Sequence, residues 1–411
     1  MSDIRRQWWF RVVVVLVALA LAYLAAITTV AAIGRTQQAR QVLAVAPFDA
    51  QARATAAFTL LQTKPTSAAA RVAIPQVQQA LEREPINVAA VRTLGLAASI
   101  DGQPARAERF FTLAERLSRR DLASQLFWIE VMVARENVAG AIKYFDEALL
   151  TSKTAPGLLL PVLVGATVDQ PVVAALQPYL KRRPAYFRQF LIQATDSAPQ
   201  PTKLVPLLGL LDRRKVDDRD LVTRFIGRFT RDGDFDEAWR VYRWAVAGKG
   251  TDASVINGDF EQDQLYSIFG WNLSEGEAVQ GFRQPRASGN AALYMAALRG
   301  RGEAARQMLR LHPGAYQLQL TAGEVAEFGA DRPTVELRCA APDRVILAPT
   351  RLQPAPESGR RQTFRFQVPA GCRYQWLIVG AGATGEDELR SWIDDVSVTP
   401  LQAVVGRSGT G

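Results

Sequence analysis

Between Val12 and Ile33 the chain runs VVVVLVALALAYLAAITTVAAI, 22 residues without a charge. At about 1.5 Å per residue such a helix is about 33 Å long, the thickness of a bilayer core, so the pattern predicts a membrane-spanning helix over 12–33. Apolar residues then recur at helical spacing over about 53–250, with a linker expected over 34–52. Residues 154–176 are apolar as well, but Pro156, Pro161, Asp169 and Pro171 break them into short helices rather than a second span. Around Gly248-Lys249-Gly250-Thr251 the period changes, and apolar residues recur at every second position. Tyr316, Leu318 and Leu320 alternate with polar neighbours, as do Val335, Leu337 and Cys339, and Phe364, Phe366 and Val368, the mark of half-buried strands. Further strands are expected at 291–298, 306–311, 374–379 and 392–398, with turns at His312-Pro313-Gly314 and Pro369-Ala370-Gly371. About eight short strands predict an all-β two-sheet sandwich over 255–401, followed by a flexible tail over 402–411.

The flanks orient the apolar span. Trp8, Trp9 and Phe10 precede it at headgroup level, and Arg5, Arg6 and Arg11 lie at the same end. The tail 1–11 is therefore expected in the cytoplasm and the body beyond the membrane, with Arg35 and Arg40 narrowing the bias. Ala32-Ile33-Gly34 offers the small residues of a cleavage site, the competing reading, but a signal-peptide core is only about 7 to 15 residues long. No cysteine stands just after the run, which excludes lipoprotein processing. The expectation is a single-pass protein of a bacterial inner membrane with a periplasmic body.

The helical half repeats. Ala107, Phe111 and Ala114 recur 34 residues later as Ala141, Phe145 and Ala148, and Val91, Leu94, Gly95 and Ala98 stand upstream of the first set. Small residues at Gly95, Ala107 and Ala114 let two antiparallel helices approach closely while Phe111 fills the gap. One repeat is expected at 88–121 and the next at 122–155, where Trp128 and Ile129 replace Leu and Gly. Ala73, Val77, Ala80 and Pro85 fit the second helix of an earlier copy, and Ala238, Tyr242 and Ala245, preceded by Phe225, Ile226, Phe229 and the turn Asp232-Gly233-Asp234, fit a last one. From 156 to 206 eight prolines predict irregular helical hairpins. In these motifs the chain resembles the tetratricopeptide-repeat (TPR) family, which implies an all-α TPR-like solenoid over 53–250 whose concave face takes an envelope protein partner. Lys181-Arg182-Arg183 reads as a solvated helix end, with an anion contact as the alternative.

Cys339 and Cys372, each at the end of an expected strand, are predicted to form a disulfide in an oxidising compartment, two buried thiols being the alternative. At its ends the strand-rich half carries Asn257-Gly258-Asp259-Phe260-Glu261 and Trp392-Ile393-Asp394-Asp395-Val396-Ser397-Val398, and within it Gly270-Trp271 and Pro313-Gly314-Ala315-Tyr316. Through these segments residues 255–401 resemble the jelly-roll carbohydrate-binding modules and galactose-binding-like domains. The resemblance implies sugar binding on exposed aromatic rings, with Tyr266 and Phe282 as leading candidates and Phe269, Tyr294 and Trp376 behind them; Trp271 is read as core. It also implies a possible structural calcium on Asp259, Glu261, Asp394 and Asp395. Alternation puts Asp394 on an apolar face, where calcium, an arginine or backbone donors would have to meet its charge.

Composition narrows the chemistry. One histidine, two cysteines and four methionines exclude zinc fingers, Fe–S sites and c-type haem. The net charge of +9 is carried mostly by arginine, since only seven lysines occur; with Arg338 and Arg365 on expected strands, it biases any sugar preference toward acidic units. His312 stands alone in a turn, no G-x-S-x-G elbow or Walker A motif occurs, and Asp394 and Asp395 point to opposite faces of one strand, so they are no glycosidase pair. The run Gly380-Ala381-Gly382-Ala383-Thr384-Gly385 leads into Glu386-Asp387-Glu388 and reads as a loop. The expectation is a non-enzyme: a membrane-anchored periplasmic scaffold that binds polysaccharide and an envelope protein, not nucleic acid, in assembly or export of a cell-envelope polymer. The competing expectation is a purely protein-binding scaffold with the sandwich as a structural cap.

Overall fold

The computed structural model describes Thr29, Gly34 and residues 38–247, 254–263, 266, 268–286, 289–298, 300–327, 331–383 and 389–401. The expected span 12–33, Thr29 apart, and the tail 402–411 lie outside the described residues. Among the described residues no helix is long and apolar enough to cross a membrane. The chain divides into two compact units, residues 1–190 and 191–411.

The first unit is helical: α1 (Ala39–Val45), α2 (Ala50–Thr63), α3 (Ser67–Arg83), α4 (Val88–Ile100), α5 (Pro104–Leu117), α6 (Leu122–Ala134), α7 (Val138–Thr151), α8 (Ala155–Gly165) and α9 (Gln170–Lys181). Within the expected linker 34–52, residues 39–45 and 50–52 are helical, and Ala39, Val42, Ala46 and Ala52 bury a small apolar cluster of their own. The start of α4 and of α6, and of α5 and of α7, are separated by the 34 residues of the repeat. Equivalent caps start both pairs: Asn87 Oδ1 accepts the Ala90 N–H at 3.0 Å and Asp121 Oδ2 the Ser124 N–H at 3.0 Å, filling backbone donors the helix leaves free. Gly95 is needed where α4 crosses α5, since a Cβ there would lie 2.8 Å from the Phe111 ring. Phe127 of the second hairpin stacks on Phe111 of the first at 3.9 Å, and within the second hairpin Trp128 stacks on Tyr144 at 5.9 Å. The prolines of 156–206 are absorbed as expected, Pro161 inside α8 and Pro178 inside α9, with 3-10 turns at Ala166–Val168 and Pro201–Leu210. The division at residue 190 falls within α10 (Phe187–Ser197).

The second unit opens with a helical hairpin, α11 (Val216–Arg231) and α12 (Phe235–Ala245), which buries Phe225, Ile226, Phe229, Ala238, Tyr242 and Ala245, the residues expected of the last repeat. Arg228 of α11 donates to the carbonyls of Thr195, Asp196 and Ala198, capping the C-terminal end of α10. Two five-stranded antiparallel sheets follow, built from β1 (Asn272–Leu273), β2 (Val279–Pro285), β3 (Ala291–Ala297), β4 (Gly300–Arg310), β5 (Gly314–Gly323), β6 (Thr334–Cys339), β7 (Arg344–Arg351), β8 (Arg360–Val368), β9 (Tyr374–Ala383) and β10 (Leu389–Pro400). The first sheet runs β1-β4-β9-β6-β7 and the second β2-β3-β10-β5-β8. Inward residues such as Leu293, Leu309, Leu318, Leu337, Leu377 and Ile393 form the core between them. Two buried glutamines complete the backbone pairing: Gln307 accepts from the Ile256 N–H at 2.9 Å and donates to its carbonyl at 2.8 Å, and Gln362 does the same for Gln353. The Cys339–Cys372 disulfide is present, with Cα atoms 5.4 Å apart.

Helix α12 packs against the sandwich through rings. Trp239 meets Phe269 at 5.0 Å, Tyr242 meets Tyr266 at 6.1 Å and Phe235 meets Tyr374 at 5.6 Å. Asp236 of the same helix accepts from Tyr374 Oη at 2.7 Å and from Arg373 Nη1 at 3.0 Å. Burial, reinforced by that carboxylate, pushes the Tyr374 hydroxyl pKa up to about 12.

Candidate functional site

Alternation along the first sheet sends Leu377 and Val379 inward and leaves Trp376, Ile378, Gly380 and Gly382 on its outer face. The ladder then sets their neighbours. Arg306 and Glu336 flank Ile378, Met308 and Arg338 flank Trp376, and Glu303 and Thr334 flank Gly380. Glu303, Thr334, Glu336, Ile378 and Gly380 line a cleft of about 880 Å³, with Gly382 completing its floor and Arg301, Arg332 and Arg351 its walls; Trp376, Arg306, Met308 and Arg338 lie on the same sheet face outside that lining. The glycines keep that floor low, because a Cβ on Gly380 would meet Thr334 Oγ1 at 2.6 Å. Three of the five charges lining the cleft are paired: Arg301 lies 3.8 Å from Asp331, Glu303 lies 3.4 Å from Arg306 Nε, and Glu336 lies 3.2 Å from Arg338, itself 2.8 Å from Asp343; Arg332 Nε is buried without an acceptor. Burial raises the Glu303 carboxyl pKa, with Arg306 opposing it. The Arg306 guanidinium also lies 4.8 Å from the centre of the Trp376 ring, which holds the indole on the outer face of the sheet. Such a surface presents an aromatic face beside alternating donors and acceptors over a flat floor, the chemistry needed to pack a pyranose ring and bond its hydroxyls.

The second sheet carries its own aromatic row. Phe282, Tyr294 and Trp392 are register partners on β2, β3 and β10. Phe282 and Tyr294 are half-buried and stacked 6.0 Å apart, whereas Trp392 is 1% exposed. A Cβ on Gly323 would lie 2.2 Å from the Trp392 ring, and one on Gly359 would lie 2.7 Å from it, so these two glycines make its slot. Arg286 covers the ring at 4.4 Å.

The five predicted platform residues thus separate. Trp376 stands on the outer face of the first sheet, outside the cleft lining, and Phe282 with Tyr294 stands on the second sheet. Tyr266 and Phe269 belong to neither, being 3% and 0% exposed against Tyr242 of α12. Both were candidates for exposed rings; the packing of α12 over them is a long-range event that local polarity does not encode. Glu303, Arg306 and Glu336 were not singled out from the sequence. The bulge between Glu303 and Ala305 shifts the phase of β4, so alternation counted from 306–311 does not extend back to Glu303. The run from Gly380 to Ala383 is strand rather than loop, and its glycines at every second position are the signal of the bare floor.

The carboxylates considered for calcium are engaged separately. Glu261 Oε1 accepts the Ala291 N–H at 2.8 Å, Asp395 Oδ2 accepts the Thr321 hydroxyl at 3.2 Å, and Asp259 is exposed with its Oδ1 3.5 Å from the Glu261 nitrogen. Asp394, 0% exposed, takes its counter-charge from Arg286 at 2.9 Å, with the Asn290 amide donating at 2.9 Å and the Asp395 N–H at 2.8 Å. The arginine, amide and backbone partners are therefore the ones that meet its charge in this structure. Among the described residues no three His, Cys, Asp or Glu side chains are grouped to hold a metal ion. Burial is the largest influence on Asp394 and pushes its pKa up to about 6, against the pull of the Asp395 N–H and Arg286.

No known family model matches the chain, and no curated protein matches it. Among solved structures, the C-terminal half is similar to TmCBM61, determined in complex with β-1,4-galactotriose, at 15% identity over 36% of this chain and 99% of that one, with a TM-score of 0.25. It is similar to a CBM4 structure at 16% identity over 36% of this chain and 100% of that one, TM-score 0.27. It is also similar to the N-terminal cellulose-binding domain of Cellulomonas fimi β-1,4-glucanase C at 18% identity over 34% of this chain and 99% of that one, TM-score 0.22.

Proposed function

We propose that this chain is a membrane-anchored scaffold of a bacterial envelope whose sandwich holds a polysaccharide and whose helical half holds a protein partner, in assembly or export of that polymer and without chemistry on it. The observation that carries the glycan reading is the outer face of the first sheet: a cleft with a glycine floor and walls of carboxylates and guanidinium groups, and on the same face an indole covered by Arg306. The apolar run 12–33 and its aromatic and arginine flank support the anchor. Affinity electrophoresis of the full chain through gels containing neutral envelope-type glucans, galactans or xylans tests the binding. Retardation is expected with at least one polymer, and Trp376→Ala should weaken it about tenfold, the loss of one good stacking ring. Unretarded migration in every polymer sinks the reading.

A purely protein-binding scaffold is the second reading. It is favoured by the ring seam and the Asp236 bonds through which α12 holds the sandwich, as a structural cap would require. A phosphatase fusion after Gly411 tests the anchor separately, being active only if the body lies outside the cytoplasm.

A further inference from the structure

Along α12, away from the sheet-face cleft, lies a second depression of about 770 Å³, inside the range of small-ligand sites. Its lining carries four arginines, Arg240 and Arg243 from α12, Arg310 from β4 and Arg373 at the start of β9, against one carboxylate, Asp236. Asp236 is already taken by Arg373 and Tyr374, and Arg240 pairs with Glu237 at 2.8 Å. Arg243 and Arg310 have no acidic partner among the described residues. Arg310 is half-buried with its guanidinium 5.8 Å from the Trp239 ring, and its Nε is buried without an acceptor. The indole nitrogen of Trp239 is likewise buried without one. A guanidinium half withdrawn from water and left unpaired costs free energy that a bound anion would recover.

The chemistry of the cavity selects among anions. Arginine forks match a planar carboxylate with two parallel bonds. Trp239 and Trp244, both half-buried in the lining, add ring surface of the kind that packs against sugar C–H groups. We infer that this cleft binds a carboxylate-bearing sugar, a hexuronate unit of an acidic polysaccharide, with Arg243 and Arg310 on the carboxylate and the tryptophans beside the ring. This site is distinct from the first-sheet cleft, whose wall charges are mostly paired. The molecule then carries one subsite suited to neutral hydroxyls and one suited to acid groups.

Calorimetric titration of the full chain in detergent with tetragalacturonate tests the inference. Saturable binding is expected, weakened at least tenfold in Arg310→Gln and in Arg243→Gln, the loss of one charge-assisted carboxylate contact. Arg243 is exposed, so its variant folds even where Arg310→Gln does not. The same tetramer after reduction of its carboxyl groups should bind at least tenfold more weakly. The inference is overturned if tetragalacturonate does not bind, if the reduced tetramer binds equally, if tetraglutamate binds as tightly, or if Arg243→Gln binds like the parent. Neutral-polymer retardation lost while tetragalacturonate still binds counts against the sheet-face reading alone; the reverse counts against this one alone.

Discussion

The helical unit and the sandwich fill their interiors with different residues. Of the twelve buried residues in the main cluster of α2–α4, ten are alanine. The sandwich core has thirty buried residues and only six alanines, the rest being mostly Leu, Val and larger side chains. Alanine crossings gain little area per residue but bring helix backbones close, and they leave the larger apolar side chains outside. Among the described residues, eleven of the fourteen exposed large hydrophobic side chains lie in the first unit, among them Ile86 at 77% exposure. The sandwich keeps its large side chains inside and shows paired charges, glycines and half-buried rings on its faces. The difference teaches where each kind of partner fits: the helices offer surface that gains by covering with protein, and the sandwich offers clefts that gain by hydrogen bonding.

That contrast can be broken from the sandwich side first. Gly323→Ala drives a Cβ to 2.2 Å from a buried indole that has no free space, and we expect a loss of about 4 kcal/mol, read as a collapse of the sandwich transition in urea. Melting that stays unchanged would show the Trp392 slot to be soft. Reducing the Cys339–Cys372 bond opens a loop of 33 residues and should cost about 3 to 4 kcal/mol, again confined to the sandwich transition. An equal drop in the helical transition would show that the two regions melt as one. Asp394 adds a pH test. Its pKa rises from 3.8 to about 6 on folding, so the native state holds a proton that the unfolded chain releases. This contribution is fully present below about pH 4 and is lost as pH rises through about 6, on the order of 2 to 3 kcal/mol. Urea melts at pH 5 and pH 7 should differ in that direction, and Asp394→Asn should flatten the slope. The smallest effect is expected in the helices: Gly95→Ala presses on Phe111 but gains helix propensity, for a net loss of about 1 kcal/mol in the first transition. A loss as large as that of Gly323→Ala would erase the distinction.

What could be read from the sequence follows from how local each cause is. The 34-residue spacing fixed α4–α7 closely, because Gly95, Phe111 and their equivalents act within one hairpin. Strands β5, β6, β8 and β9 were legible from alternation, and so was the disulfide. Strand β7 was missed because Arg344–Arg351 is exposed or half-exposed throughout and carries no period. The ring assignments failed where burial depended on a distant element, as for Tyr266 and Phe269 beneath α12. The arginine-lined cleft gathers residues from α12, β4 and the start of β9, each more than sixty positions from the next, and no spacing rule would assemble them.

The placement of the indoles has an optical consequence. Of the six described tryptophans, only Trp128 belongs to the first unit; Trp239, Trp244, Trp271, Trp376 and Trp392 belong to the second. Trp271 and Trp392 are shielded from water, so their emission should lie toward the blue and shift to the red when the sandwich opens. The red shift of the Trp271 and Trp392 emission should therefore follow the sandwich, while far-ultraviolet circular dichroism, dominated by helix, follows the hairpins. Two detectors on one denaturation experiment would resolve the two regions without cutting the chain.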